Sequence, residues 1–217
     1  AIEELHVDAV QAVSLFPTGR ANCNKYLLEF WNEWSEFVIK ITKIKKTNAW
    51  GENTKKINIG FFTLYELVEP LDKADMHNDI FEVWGLDIAD ENMFAMQTMR
   101  SHYCEAGQTE LTISCEKKIY PCVAALRTIF GGTSIENEDI LYIWNHDEHL
   151  NFFRNVIEQV TKFEPCQSCR YKKICGGGCR IAANELLQNR YAPDPRCPRV
   201  QEYLRRNGMD VYGHNYN

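Results

Sequence analysis

The chain has no run of eighteen consecutive apolar residues, so it offers no transmembrane helix. No charged-then-apolar leader precedes the first elements, so no secretory signal is visible. Internal repeats and low-complexity tracts are absent, so nothing marks a repeat array. Positive charge is in deficit: 24 Lys and Arg face 30 Asp and Glu, for a net charge of −6 and a pI near 5.6. That balance argues against a dedicated nucleic-acid binder. The six histidines show no mutual ligand spacing, and surface or capping roles are expected for them, with His102 noted for its place two residues before Cys104. The chain opens on Ala1, and Ile2 to His6 reads as the tail of a helix, so a fragment or processed chain is expected.

What the chain has is cysteine. Nine are present, an odd count, and five crowd between Cys166 and Cys197. A disulfide framework belongs mostly to short secreted chains. Without an export signal, a cytoplasmic protein with a thiolate-bound metal is the better expectation. A composition that is 45% hydrophobic and 25% charged is that of an ordinary globular protein.

Ala9 to Phe16 has the apolar pattern of a strand buried on both faces in a parallel sheet. Pro17-Thr18-Gly19-Arg20 breaks it, and Asn24 can cap the next helix. That helix shows a stripe of Leu27, Trp31, Trp34, Val38 and Ile41, with Lys43, Lys45 and Lys46 at its C-terminal end. Ile57 to Val68 reads as another strand and Glu69 to Asn78 as a loop, while residues 79–103 fit either helix or strand. A hairpin is expected over 109–122, turning at Cys115-Glu-Lys117. Asp139 to Trp144 leads into a helix from about Asp147 with a stripe of Leu150, Phe153, Ile157 and Val160. A short helix follows from Arg180 to Gln188, and a last one starts at Pro198, with Val211 to Asn217 expected to fray.

The crowded stretch reads Cys-x2-Cys-x5-Cys-x3-Cys from Cys166 to Cys179, with Cys197 following later. Zinc favours paired C-x2-C knuckles or mixed Cys/His sets, and only one such pair occurs here. Iron–sulfur clusters spread their ligand sulfurs on the order of 6 Å apart and tolerate varied spacing. They favour main-chain N–H donors and nearby positive charge. Gly176, Gly177 and Gly178 permit the first, and Arg170, Lys172, Lys173 and Arg180 supply the second. Five cysteines exceed one four-thiolate site, which draws Cys104 and Cys122 in as candidates for a second.

The whole pattern resembles the SPASM domain of radical SAM enzymes. In that family a first cysteine precedes Gly-x4-Cys, then C-x2-C-x5-C-x3-C and a late cysteine. Here Cys104, Cys122, Cys166, Cys169, Cys175, Cys179 and Cys197 hold those places, with Lys117 where the family usually has glycine. Ile119-Tyr-Pro-Cys122 resembles the family's hairpin, Ile143-Trp-Asn145 its bridge, and Phe16-Pro-Thr-Gly-Arg-Ala21 a late turn of the radical SAM barrel.

The resemblance implies an α/β end of a partial (β/α) barrel over 1–50, a connecting region over 51–100, and a small α+β SPASM domain over 101–217 with a β-hairpin and cysteine-rich loops. It implies two auxiliary [4Fe–4S] clusters, the first held by Cys104, Cys122 and Cys179, the second by Cys166, Cys169, Cys175 and Cys197. The first would have an open iron, or Glu105 or Glu110 as a further ligand. Cys115 is excluded, because an extended ribbon puts it on the order of 15 Å from Cys122. Gly19 and Arg20 are candidates to contact S-adenosylmethionine or a substrate carboxylate.

No C-x3-C-x2-C triplet is present, and Ala182 stands where one would end. The chain as given is therefore not expected to cleave S-adenosylmethionine, whose own [4Fe–4S] cluster would belong to a preceding part. The expected role is the C-terminal portion of an oxidoreductase that modifies a peptide or protein substrate, supplied with electrons by a donor such as flavodoxin or ferredoxin. Val123 after Cys122 lowers the sulfatase-maturing subgroup, which has an acid there. The alternatives are a non-catalytic iron–sulfur electron-transfer or peptide-binding partner and a structural zinc protein.

Overall fold

The computed structural model of the chain describes residues 2–21 and 30–209. Asn24, Leu27, Cys23 and the C-terminal residues from 210 onward lie outside them. Helix α1 is Ile2–Leu5 and strand β1 is Val10–Val13. β1 pairs in parallel with β2, Ile57–Gly60, from Val10↔Ile57 to Val13↔Gly60. Helix α2, Trp31–Thr47, makes the crossover that a parallel pair requires. It buries Trp31, Trp34, Val38 and Ile41, the expected stripe, and carries Lys45 and Lys46 in its last turn.

β1 differs from expectation in its burial. Val10, Val13 and Leu15 are exposed, because among the described residues β2 is its one partner strand. The segment from Ile57 to Val68 also differs. Its strand stops at Gly60, and Tyr65–Lys73 forms helix α3 where Glu69 onward reads as loop. The missed signal is a helix start: the Glu66 carboxylate turns back to accept from Phe62 N (2.7 Å) and Thr63 N (3.3 Å). Leu64, Leu67, Val68 and Leu71 then follow at helical spacing and are buried. Pro70 lies inside this helix and has no N–H to give the Glu66 carbonyl. That carbonyl instead accepts the indole N–H of Trp34 at 2.9 Å, which ties α3 to α2.

The open stretch 79–103 is helical in part, with α4 at Asp79–Glu82 and α5 at Glu91–Thr98, the latter capped by Asp90. The hairpin forms with two-residue strands, β3 at Thr112–Ile113 and β4 at Ile119–Tyr120. Its turn places Lys117 at φ +59°. Two capped helices follow rather than one: α6 at Ile140–His146 on Asp139, and α7 at Glu148–Asn155 on Asp147. Asp139 accepts from Leu141 N and Tyr142 N, so the lead-in to the expected helix is itself helical. Short α8 at Ile157–Val160 carries the stripe to the cysteine-rich loops. These hold α9 at Lys172–Cys175 and α10 at Arg180–Leu187, and α11 at Pro198–Arg206 follows Cys197. None of the described helices is long and apolar enough to cross a membrane.

The architecture is thus mixed α/β with two small sheets and many helices. Two apolar clusters position the cysteines. One is built from α2, β2 and α3 together with Phe94, Tyr171 and Ile174. The other gathers Ala106, Tyr120, Ala125, Phe130, Phe153 and Ile181 around the hairpin, α7 and α10.

Candidate metal centre

The cysteines divide by what they pack against. Cys104, Cys122 and Cys179 sit on the hairpin cluster. Cys169, Cys175 and Cys197 sit on the α2–α3 cluster, and with Cys166 they line one cleft. Pro165, Tyr65, Val68 and Val200 form its apolar wall, and Glu69 and Arg199, an ion pair, stand at it. Cys115 is exposed in the hairpin turn.

Each group is held by local backbone geometry. Cys166 O accepts Cys169 N at 3.1 Å, and Cys175 N reaches Tyr171 O at 2.7 Å, which closes the Cys-x2-Cys turn and α9. Cys179 and Cys197 stand at the N-caps of α10 and α11. A helix start carries partial positive charge and favours an anion such as a thiolate. Pro198, directly after Cys197, occupies a first-turn position where its missing N–H costs nothing.

Between Cys175 and Cys179 all three glycines have positive φ, from +64° to +80°. A Cβ on Gly177 would lie 2.4 Å from Val160 Cγ1, and one on Gly178 would lie 2.5 Å from Asp194 Cβ. Only glycine fits this bridge, for backbone conformation and for space alike.

Burial dominates the electrostatics. It pushes the Cys104 thiol up to about 12, Cys175 to about 12 and Cys166 to about 11. Cys122, Cys179 and Cys197 are raised too, by burial first. Neighbouring thiols add to the rise: Cys179 acts on Cys104 and Cys122, while Cys166 and Cys169 act on Cys175. So each group is a set of largely buried thiols whose negative charges would repel one another, a setting in which a metal can replace their protons. Among the described residues no three Cys, His, Asp or Glu side chains converge closely enough for a single metal ion. Four thiols at one cleft are the donor set that an iron–sulfur cubane takes.

Residues 104–170 match the family model SPASM, described as an iron–sulfur cluster-binding domain. The match contains Cys104, Cys122, Cys166 and Cys169 and stops before Cys175, Cys179 and Cys197. Curated relatives named PqqA peptide cyclase are similar over a comparable length. The Bradyrhizobium diazoefficiens protein is 34% identical over 95 residues, covering 42% of this chain and 24% of the relative. The Rhodopseudomonas palustris protein is 38% identical over 94 residues, covering 42% and 24%. The chain therefore spans about a quarter of the length of the curated relatives it matches.

A buried polar network lies behind these cysteines, and spacing gave no hint of it. Asp194 Oδ2 accepts from Cys179 N (3.0 Å), Tyr65 Oη (2.8 Å) and Arg196 Nη2 (3.0 Å). Asp194 N donates to Gly177 O (2.9 Å), and Asp194 O accepts Cys197 N (3.1 Å). One residue thus fixes Cys179, Cys197 and the glycine bridge together. Burial alone would raise the Asp194 carboxyl, but Arg196 and the N–H groups of Arg196 and Cys179 outweigh it and hold it below the usual range. Arg196 is fully buried, lies over the Phe16 ring at 4.7 Å, and approaches Glu66 Oε1 at 4.0 Å. Ser14 Oγ donates to that same oxygen at 2.6 Å. The sequence signal is the Asp-Pro-Arg directly before Cys197.

His102 corrects the surface expectation. It is 3% exposed, held by Ser101 Oγ and Gln108 Nε2, and its Cδ2 would lie 3.1 Å from a Cβ on Gly176. Burial lowers it to about 4, with Arg180 and Arg100 adding, so it is a neutral packing group of the bridge. Glu105 is exposed and paired with Arg100. Glu110 is partly buried, and its charge bears on both Cys104 and Cys122. Gly19 lies in a 3₁₀ turn at φ +58°, beyond Phe16.

Proposed function

We propose that this chain is the C-terminal part of a radical SAM/SPASM oxidoreductase that modifies a peptide or protein, with two auxiliary [4Fe–4S] clusters. Cys166, Cys169, Cys175 and Cys197 would hold one. Cys104, Cys122 and Cys179 would hold the other, whose fourth position is an open iron or Glu110. The observation that carries this is the division of six cysteines, three on each of two apolar clusters, with Cys166 joining Cys169, Cys175 and Cys197 at one cleft and Gly176–Gly178 between the two sets. The matched iron–sulfur domain and the relatives named for a peptide substrate support it. The parallel β1–α2–β2 unit is the repeat from which a (β/α) barrel is built; it supports a barrel end that runs past residue 50 to Gly60 at the end of β2, with the connection following it to about 100 and the cluster domain over 101–217.

When bound, the clusters supply one-electron redox capacity. The chain's own residues hold the thiolates in place, keep water from them, and fix the spacing of the two sites through Asp194 and the glycine bridge. In this reading Gly19 and Arg20 are candidates to contact S-adenosylmethionine or a substrate carboxylate, and flavodoxin or ferredoxin is the electron donor.

The test is the coding sequence before Ala1 together with the protein it encodes. A C-x3-C-x2-C upstream, and 5′-deoxyadenosine formed by the anaerobically reconstituted full-length protein with S-adenosylmethionine and reductant, are the expected results. A start codon at this point with no such triplet would instead support a non-catalytic iron–sulfur partner.

A further inference from the structure

Arg180 follows Cys179 directly and opens α10. Its side chain turns back toward the bridge and is buried, with 2% exposure. Nη2 donates to Gly177 O at 2.5 Å and to Gly178 O at 3.3 Å, while Nη1 donates to Ala192 O at 2.5 Å. Nε is buried with no hydrogen-bond partner. Every acceptor is thus a neutral carbonyl, and among the described residues no carboxylate forms an ion pair with this guanidinium.

That contrasts with Arg196, equally buried but paired with Asp194 at 3.0 Å. A buried guanidinium without a counter-ion carries a large desolvation cost, so a negative charge is expected nearby when the protein is in its working form. Among the described residues no carboxylate pairs with it. The thiolate sites on either side supply that charge.

The position is intermediate between those sites. The Arg180 backbone is bonded to Cys179, a member of the first set. Its Nη2 rests on Gly177, which lines the cleft of the second set. Its charge opposes the effect of burial on Cys104 and Cys179 on one side and on Cys166 on the other.

We propose that Arg180 is a counter-charge shared by both clusters, holding each at a higher reduction potential than its thiolates alone would set. This rests on the two-cluster reading. The physical reason is that reduction adds negative charge to a group already negative, and a fixed buried cation stabilises the reduced form more than the oxidised one. As a residue that acts through the clusters, Arg180 tunes them without touching substrate.

The experiment first counts iron and sulfide in the reconstituted wild-type protein, where about eight irons establish two cubanes independently of Arg180. Redox titration followed by EPR then compares wild type, Arg180→Gln, Arg180→Lys and the control Lys173→Gln. Lys173 is exposed and paired with Glu91, so its loss should move neither centre. With iron retained, Arg180→Gln is expected to lower the potentials of both centres, and Arg180→Lys to stay near wild type. A shift confined to one centre, no shift, or an equal shift in Arg180→Lys overturns the proposal. If Arg180→Gln loses iron from both centres and Arg180→Lys retains it, the charge is needed for both to assemble and the proposal stands. If both variants lose iron alike, the guanidinium's shape rather than its charge matters, and the proposal fails.

Discussion

Cys179 is the residue at which the two candidate sites part. It lies in one Cys-rich run with Cys175, yet it packs with Cys104 and Cys122 on the hairpin cluster. In the proposed assignment, Cys179→Ala removes iron from the first centre and spares the second, so the iron count falls from about eight toward about four per chain. Cys115→Ala, at an exposed turn position, leaves the count unchanged. Colorimetric iron determination with EPR of each variant reads both outcomes. Asp194 is the second decisive residue. Asp194→Asn leaves the fully buried Arg196 without its carboxylate, which costs roughly 3 kcal/mol. Differential scanning calorimetry should show a melting temperature lower by roughly 6–12 °C for a chain of this size. An unchanged melting temperature would mean that Glu66 alone suffices to balance Arg196.

At the scale of elements, the hairpin gives a stability test. Lys117 adopts φ +59°, a conformation that glycine takes without penalty and other residues at roughly 1–2 kcal/mol. Its salt bridge to Glu136 is exposed on both sides and worth little. Lys117→Gly is therefore expected to raise stability by up to about 1 kcal/mol in thermal unfolding, with iron content unchanged. The hairpin was legible because its turn and its return strand are local in sequence, as was the apolar stripe of α2. α3 was not, because Pro70 and the acids around it imitate a loop. Their helix is made possible by a partner distant in sequence, the Trp34 indole that takes up the freed carbonyl. The burial of β1 was misjudged for a related reason: an apolar run states that a strand can be covered on two sides, and only its neighbours decide whether it is.

For the whole molecule, the cysteine spacing carried much of the candidate site. Which cysteines share a wall of the core did not follow from spacing, since Tyr171 and Ile174 join a cluster built mainly by α2 and α3. Nor did the Asp194–Arg196–Glu66–Ser14 chain of contacts, which runs from the cysteine-rich loops to the end of β1 through residues far apart in sequence. That chain of contacts ties the parallel β–α–β unit to the loops that carry the candidate cysteines. The most direct test of the account is the iron and acid-labile sulfide content of the anaerobically reconstituted chain. The account predicts about eight of each per chain, as two cubanes require, whereas about four of each, or stoichiometric zinc without iron, would contradict it.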